Sequence, residues 1–518
     1  MNAIELNIFS SRVEAICDEM GVVLRRSAFS PNIKERLDYS CAIFSREGEL
    51  CAQAAHIPVH LGSMAYAMRD IVNKQAWEAG DMVILNDPYL GGTHLPDITL
   101  IAPVFVNKQL SGFVVNRAHH ADIGADAPGS MPLSTHLDQE GVVIPPTRLL
   151  HQGVVDDQIM HSILSELHNG ERARGDFLAQ ISANRCGVER LSALITRLGE
   201  AQFAAGLDEL NEYAARLSRV ALRAIPDGKY LFTDLMDDDG HGQKDIVIHC
   251  SVRVDDGQVT VDFSGTSAQV AGNINAPLSV AAACVYYVFR CLMPAQTPAC
   301  AGSFRHIRLQ APAGSLLNAR YPAAVTAGNV ETSTRIVDVV MGALAQAIPQ
   351  RIPAASHGSM NNLAMGSREA AGSWDYYETM GGGMGASLQN EGLSAVQTHM
   401  TNTLNTPIEA LEMNYPLRVW RYAIRRDSGG EGQQRGGDGL VREFEFLKPA
   451  SFTLLTERRQ HQPWGLEGGL AGIAGRNRLN GQLIAGKVHG EVQPGDRLCV
   501  ESAGGGGWGR PRETLIKS

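Results

Sequence analysis

Two short apolar runs, Ile98 to Val106 and Ser111 to Val115, are separated by Asn107-Lys108-Gln109 and constrain the fold of this chain more than any other feature. Both are rich in β-branched and aromatic residues, and the polar residues between them predict a hairpin. If Val106 pairs with Leu110, an equal count back along each strand sets Asp97 opposite His119. Opposed residues on one face of an antiparallel pair hold their Cβ atoms about 4.5–5.5 Å apart. His94 precedes Asp97 in a segment running from Asn86 through Gly91-Gly92 and Pro96, whose turn residues allow it to fold back toward the strand end. A His-x-x-Asp and a distant His thereby converge through backbone geometry.

Two imidazoles and a carboxylate leave coordination positions open for water or substrate, as a catalytic metal site requires. The mixed nitrogen and oxygen set suits Zn, Mn or Fe. His-x-x-Asp alone is a common pattern that needs no metal, and a bulge would spoil the register. His120, Asp122 and Asp126 follow closely and make the region unusually polar for the end of an apolar strand. Glu140, in a Gly-flanked turn, reads either as a general base beside the site or as a solvated turn acid. Asp38, at the mouth of the strand-like Cys41 to Phe44, is either a further carboxylate ligand or half of a surface ion pair with Arg36. His56 and His60 flank Pro58, which disfavours an ordinary helix interior. They are expected to line a pocket or serve the structure, not to bind metal.

The rest of the sequence predicts an α+β chain of several domains, with mixed β-sheets, helices and a β-rich C-terminal part. The expected divisions are 1–155, α+β with the metal site; 156–225, mainly helical; 226–440, α+β with Gly-rich loops; and 441–518, β-rich. Phe9, Val13, Ile16, Met20 and Leu24 recur at helical spacing within residues 4 to 26. A longer amphipathic stretch, including Leu191, Leu194, Leu207, Leu210 and Leu217, breaks near Gly199. Residues 246 to 263 alternate around Asp255-Asp256-Gly257, which predicts a second hairpin. Thr326 to Ser333 reads as a polar loop before a helix at Arg335.

The formal net charge of −10 carries no basic stripe, so nucleic acid is not an expected partner. The longest apolar run, Leu278 to Phe289, is too short to span a bilayer, and no secretory leader is evident, so no membrane partner is expected either. Nine cysteines without a Cys-x-x-Cys point to a reducing cytoplasm. Gly481 to Lys487 begins like a phosphate loop, but Val488 stands where a hydroxyl must hold Mg²⁺. Gly381-x-Gly383-x-x-Ala386 lacks a surrounding βαβ unit, and Gly429 to Gly439 is expected to be a structural loop. No recognised loop for ATP, and no serine-hydrolase elbow, is present in the sequence.

Several long motifs resemble the hydantoinase B/oxoprolinase family. They are Glu35-Arg36-Leu37-Asp38-Tyr39-Ser40, His56-Ile57-Pro58-Val59-His60-Leu61-Gly62, Asn86 to Asp97, Gln139-Glu140-Gly141, Asp262-Phe263-Ser264-Gly265-Thr266 and Gly429-Gly430-Glu431-Gly432. The resemblance implies a hydantoinase A-type partner that binds ATP and Mg²⁺ and phosphorylates the substrate carbonyl oxygen. It implies that a chain like this one carries a divalent metal, Zn or Mn, and completes the reaction within a hetero-oligomer, α2β2 or larger. The implied ligands are His94, Asp97 and His119, with Asp38 as an additional carboxylate, and Glu140, Asp122 or His120 would move the proton. At 518 residues the chain is short for a ketone carboxylase α subunit, which favours hydrolysis of a cyclic amide. A carboxylase subunit and a non-catalytic scaffold for the partner's ATP site remain as rival readings.

Overall fold

A computed structural model describes residues 1–54, 57–368 and 373–511; His56 lies outside the described residues. The first sheet contains β1 (Tyr39–Ser45), β2 (Leu50–Gln53), β3 (Met82–Leu85), β4 (Asp97–Val106), β5 (Gln109–His119), β6 (Thr147–His151) and β7 (Val154–Val155). Their order is β2-β1-β5-β4-β3-β6-β7, so the predicted hairpin lies at the centre. Asp97 pairs with His119, and the same register runs on to Val104 opposite Gly112.

The hairpin tip differs from the expectation. Asn107 and Lys108 both take positive φ, 49° and 65°. This is a two-residue turn of the primed type, whose twist matches that of the flanking strands. Val106 therefore pairs with Gln109, and Phe105 with Leu110. An irregularity between Val104 and Phe105, opposite Ser111, absorbs the extra residue and restores the predicted register.

Both faces of this sheet are covered. On one, the helix Ala3–Ser27 contributes Phe9, Val13, Ile16, Met20 and Leu24, and the helix Gly170–Leu198 contributes Phe177, Ile181 and Leu191. Gly199, at φ 87°, separates that second helix from Glu200–Arg223, at the predicted break. On the other face the helix Pro58–Lys74 packs Met64, Met68 and Ile71 against Phe113 and Val115. Pro58 opens this helix. A proline is tolerated at a first helical position because the amide it lacks would have no partner there.

A second sheet contains β8 (Gly228–Asp238), β9 (Lys244–Asp255), β10 (Gln258–Asp262) and β11 (Ile307–Gln310), in the order β11-β10-β9-β8. The second predicted hairpin turns at Asp256 and Gly257, with φ 47° and 74°. The helices Leu278–Leu292 and Ser333–Ala345 share its core through Val288, Phe289, Ile336 and Val340. Nine further strands follow: β12 (Asn362–Ser367), β13 (Trp374–Glu378), β14 (Leu417–Arg425), β15 (Gly439–Phe446), β16 (Ala450–Leu455), β17 (Arg476–Leu479), β18 (Gln482–Ile484), β19 (Lys487–Val492) and β20 (Arg497–Glu501). They form two sheets, β13-β12-β16-β19 and β14-β15-β20-β17-β18.

Glycine segments around residues 383, 437 and 505 lie side by side. The Gly383 amide donates to Ala503, that of Gly437 to Met384, that of Gly430 to Gly505 and that of Gly505 to Gly437. A Cβ on Gly505 would sit 2.1 Å from the Met384 carbonyl oxygen, so only glycine permits this approach. The Gly381 and Gly429 segments thus serve the structure, with amides that a phosphate would need already engaged. Among the described residues no helix is long and apolar enough to cross a membrane.

Candidate metal centre

The segment before β4 is folded back by glycine. Gly91 has φ 113°, and a Cβ on Gly92 would lie 2.2 Å from the Asn86 carbonyl oxygen. Asn86 ties the returning chain down: its amide donates to the carbonyls of Leu95 and Val142, each at 2.9 Å, while its side-chain oxygen accepts from the Ile144 amide. This brings His94 under the start of β4. His94 Nε2 lies 3.1 Å from Asp97 Oδ1, and His119 Nδ1 lies 3.2 Å from the same oxygen. All three residues are buried. Among the described residues they form the one group of three or more His, Cys, Asp or Glu ligand atoms lying within 4.8 Å of one another.

The surroundings suit a divalent cation. His94 Nδ1 is 3.3 Å from the Thr326 carbonyl oxygen, which can only accept, so Nδ1 carries the proton and Nε2 presents a lone pair. His94 Nε2 and His119 Nε2 are both buried without a hydrogen-bond partner. A cation would satisfy donor atoms of this kind. Burial pushes the Asp97 carboxyl up, but His94 and His60 reverse the sign and hold it well below the usual carboxylate range. Burial also depresses His94, yet the adjacent Asp97 charge holds it above its ordinary value. His119 is depressed, because burial outweighs its hydrogen bond to Asp97 and protonated His94 repels a second proton. The two rings are 5.1 Å apart, so a proton on one opposes a proton on the other.

The other expected residues fall at varied distances from this group. Asp38 lies at the entrance to β1, and its carbonyl oxygen accepts the His119 amide at 3.0 Å. Its carboxylate stands 3.9 Å from Arg36, outside the close ligand group, yet its charge is felt by both His94 and His119. Arg36 is fully buried and stacks over Tyr377, so the alternative of a surface ion pair does not hold. Glu140 is also fully buried, which removes its reading as a solvated turn acid. Its Oε1 accepts from Ser134 Oγ and from the amides of Val325 and Thr326, at 2.8, 2.9 and 2.9 Å, while Oε2 has no partner. Burial pushes its carboxyl up to about 7.

Asp122 accepts the Gly124 amide at 3.0 Å and the Asn169 amide at 2.6 Å, at the start of the helix Gly170–Leu198. His120 Nε2 lies 2.9 Å from Gln180 Oε1. Gln180 uses its own amide nitrogen on the Ile98 carbonyl and Asn116, so His120 must be the donor and its buried Nδ1 is a bare acceptor. Nδ1 has no partner at the wall of a cavity of about 30 Å³, lined also by Ser30, Asn32 and Tyr376, enough for roughly one or two waters.

Four further side chains surround Asp97 and His119; His60 was expected to line a pocket, and the other three were not anticipated from the sequence. His60 Nε2 lies 3.3 Å from Asp97 Oδ2, Thr93 Oγ donates to that oxygen at 2.5 Å, and Asn329 Nδ2 donates to it at 3.4 Å. Tyr377 stacks on His119 with centroids 4.8 Å apart. Reading Pro58 as a helix start would have put His60 on a rigid first turn. Asn329 and Tyr377 are far away in sequence, and no local pattern links them to the hairpin.

The sequence profile of the hydantoinase B/oxoprolinase family matches residues 2–511. The chain belongs to that family. An uncharacterized protein of Methanocaldococcus jannaschii is 39% identical, over 100% of this chain and 92% of that one. The family relative 5-oxoprolinase 1 of Arabidopsis thaliana is 37% identical across 98% of this chain, which spans only 42% of the plant protein. The crystal structure of ATP-dependent caprolactamase from Pseudomonas jessenii matches with a TM-score of 0.92 at 28% identity, covering 100% of this chain and 93% of that one. The α+β, multi-sheet architecture is that of the caprolactamase.

Proposed function

We propose that the chain is the metal-binding subunit of an ATP-dependent cyclic-amide hydrolase acting on a hydantoin, lactam or oxoproline-type ring. The observation that carries this reading is the buried His94–Asp97–His119 group with two bare imidazole nitrogens. Membership in a family that includes a 5-oxoprolinase, together with likeness to a caprolactamase, supplies the reaction class. The chain spans 42% of the plant oxoprolinase, which leaves room for a separate hydantoinase A-type subunit that binds ATP and Mg²⁺ in a hetero-oligomer, α2β2 or larger.

An amide resists attack because its nitrogen donates into the carbonyl. Phosphorylation of the oxygen by the partner withdraws that donation and leaves the carbon open to water. Water oxygen then bonds to that carbon, the ring C–N bond breaks and the nitrogen leaves as an amine with a proton, which leaves an acyl phosphate; a second water cleaves it to the carboxylate and inorganic phosphate. His94, Asp97 and His119, with Asp38 close by, would hold a divalent cation, which when bound would supply Lewis acidity and lower the pKa of water. The chain's own groups do the rest. Glu140, with its carboxyl near 7, takes the proton of the attacking water and returns it to the leaving nitrogen. His120 offers a second acceptor at Nδ1, while Asp122 secures the helix beneath it. Burial of these groups limits wasteful loss of the phosphorylated intermediate to bulk water.

The test is reconstitution of the chain with its partner, supplying ATP and 5-oxoproline, hydantoin or caprolactam. ATP-dependent release of the ring-opened product with matching phosphate supports the reading. Product formed only with bicarbonate and a ketone would replace it with a carboxylase. Full hydrolysis by the Asp97→Ala variant would reduce the chain to a scaffold.

A further inference from the structure

Two of the three candidate ligands, His94 and Asp97, touch one short segment, 326–331, each 232 residues away in the sequence, and the third is reached from it indirectly. The Thr326 carbonyl takes the Nδ1 proton of His94 at 3.3 Å. Asn329 Nδ2 donates to Asp97 Oδ2 at 3.4 Å, and its orientation is unambiguous, since its oxygen would repel the carboxylate. Glu331 reaches the third ligand through two intermediaries. Its Oε1 accepts the Met360 amide at 2.9 Å and Asn362 Nδ2 at 2.7 Å. Asn362 Nδ2 also donates to the Leu455 carbonyl, so its oxygen is left to accept the Tyr377 hydroxyl at 2.7 Å. The Tyr377 ring in turn lies on His119, at an interplanar angle of 17°.

The backbone explains how one segment reaches both ways. Gly328–Thr332 is a single wide turn of π-helix, a rare conformation that recurs at functional sites. Positions two apart on a helical turn point to nearly opposite sides. Asn329 thus faces Asp97 while Glu331 faces Asn362. The turn is fixed from below: a Cβ on Gly328 would meet the Asn275 carbonyl oxygen at 1.8 Å, and Thr332 Oγ1 donates to the Ile274 carbonyl. Asn329 and Glu331 are both buried, so neither group is placed there for solubility.

We propose that this segment is the positioning element of the centre, with Asn329 and Glu331 as positioning residues that set the carboxylate of Asp97 and the ring plane of His119. The inference rests on the reading of His94, Asp97 and His119 as metal ligands. Groups that orient ligands from behind typically contribute about 10–100-fold in metal affinity.

The test loads the full chain with Co²⁺ and reads its visible absorption spectrum together with its affinity, by competition with a chelator. Asn329→Ala and Glu331→Ala are expected to shift the spectrum and weaken binding about 10–100-fold. Glu331→Gln should restore both, because an amide oxygen accepts the same two hydrogen bonds. Asn329→Leu keeps a similar side-chain shape but loses the donor, so it should behave like Asn329→Ala even if Glu331→Ala fails to fold. Wild-type binding with unchanged spectrum and affinity in Asn329→Ala and Asn329→Leu would overturn the inference alone. Failure of the wild-type chain to bind Co²⁺ would overturn both the inference and the metal reading beneath it.

Discussion

Glu140→Gln separates two properties that this carboxyl combines. Burial lifts its pKa from an ordinary 4.5 to about 7. At about 1.4 kcal/mol per pKa unit, that rise corresponds to about 3 kcal/mol of linkage between protonation and folding. The sign follows from which state binds the proton more tightly, and here it is the folded one. Below pH 4.5 both states are protonated and the contribution is complete. As pH rises toward 7 the unfolded carboxyl ionises freely while the buried one resists, so stability falls. Above 7 the loss is complete. Glutamine has no proton to lose, and its side-chain oxygen still accepts from Ser134, Val325 and Thr326. The stability of wild type relative to Glu140→Gln should therefore decline by about 3 kcal/mol between pH 4 and pH 8. Urea unfolding of both proteins across that range is the assay, since every other titrating group cancels in the difference. A difference that stays flat with pH would refute the argument. In the reconstituted enzyme the same variant should lower kcat by roughly 10²–10⁴ if Glu140 moves the proton.

Other perturbations probe the framework. Lys108 holds φ 65° in the turn between β4 and β5, so Lys108→Gly should raise stability by about 1 kcal/mol by relieving left-handed strain; an unchanged or lower melting temperature would contradict the turn assignment. Gly505→Ala would force a Cβ to 2.1 Å from a backbone oxygen, and a loss of about 1–3 kcal/mol or more is expected in thermal unfolding. Arg442 and Glu378 pair at 2.9 Å with both side chains fully buried. Glu378→Ala strands the guanidinium and should cost about 3–5 kcal/mol; a neutral result in chemical denaturation would mean that water reaches the pair.

The hairpin was legible because its signal is local. Alternation in two runs and a short polar link fix which residues oppose one another, and the Asp97–His119 pairing survived a misjudged turn because the irregularity near Val104 compensated for it. The helices were legible for the same reason, and Gly199 marked their break. Burial was harder to foresee. Glu140 and Arg36 look like surface residues in sequence, and both are enclosed by segments far along the chain. The 326–331 segment reads as a polar loop, because nothing local announces that its carbonyl, amide and carboxylate all turn inward. His60 was expected to line a pocket without binding metal, and it stands beside Asp97 outside the close ligand group; the role of Pro58 was misjudged, because its effect reverses between the middle and the first turn of a helix.

The most direct test of the central claim is metal analysis of the purified chain beside its Asp97→Ala variant. The account predicts about one divalent ion, Zn or Mn, per wild-type chain and a large loss in the variant, since Asp97 Oδ1 is the atom that both imidazoles approach. Equal metal in the two proteins, or none in either after growth in metal-replete medium, would contradict it.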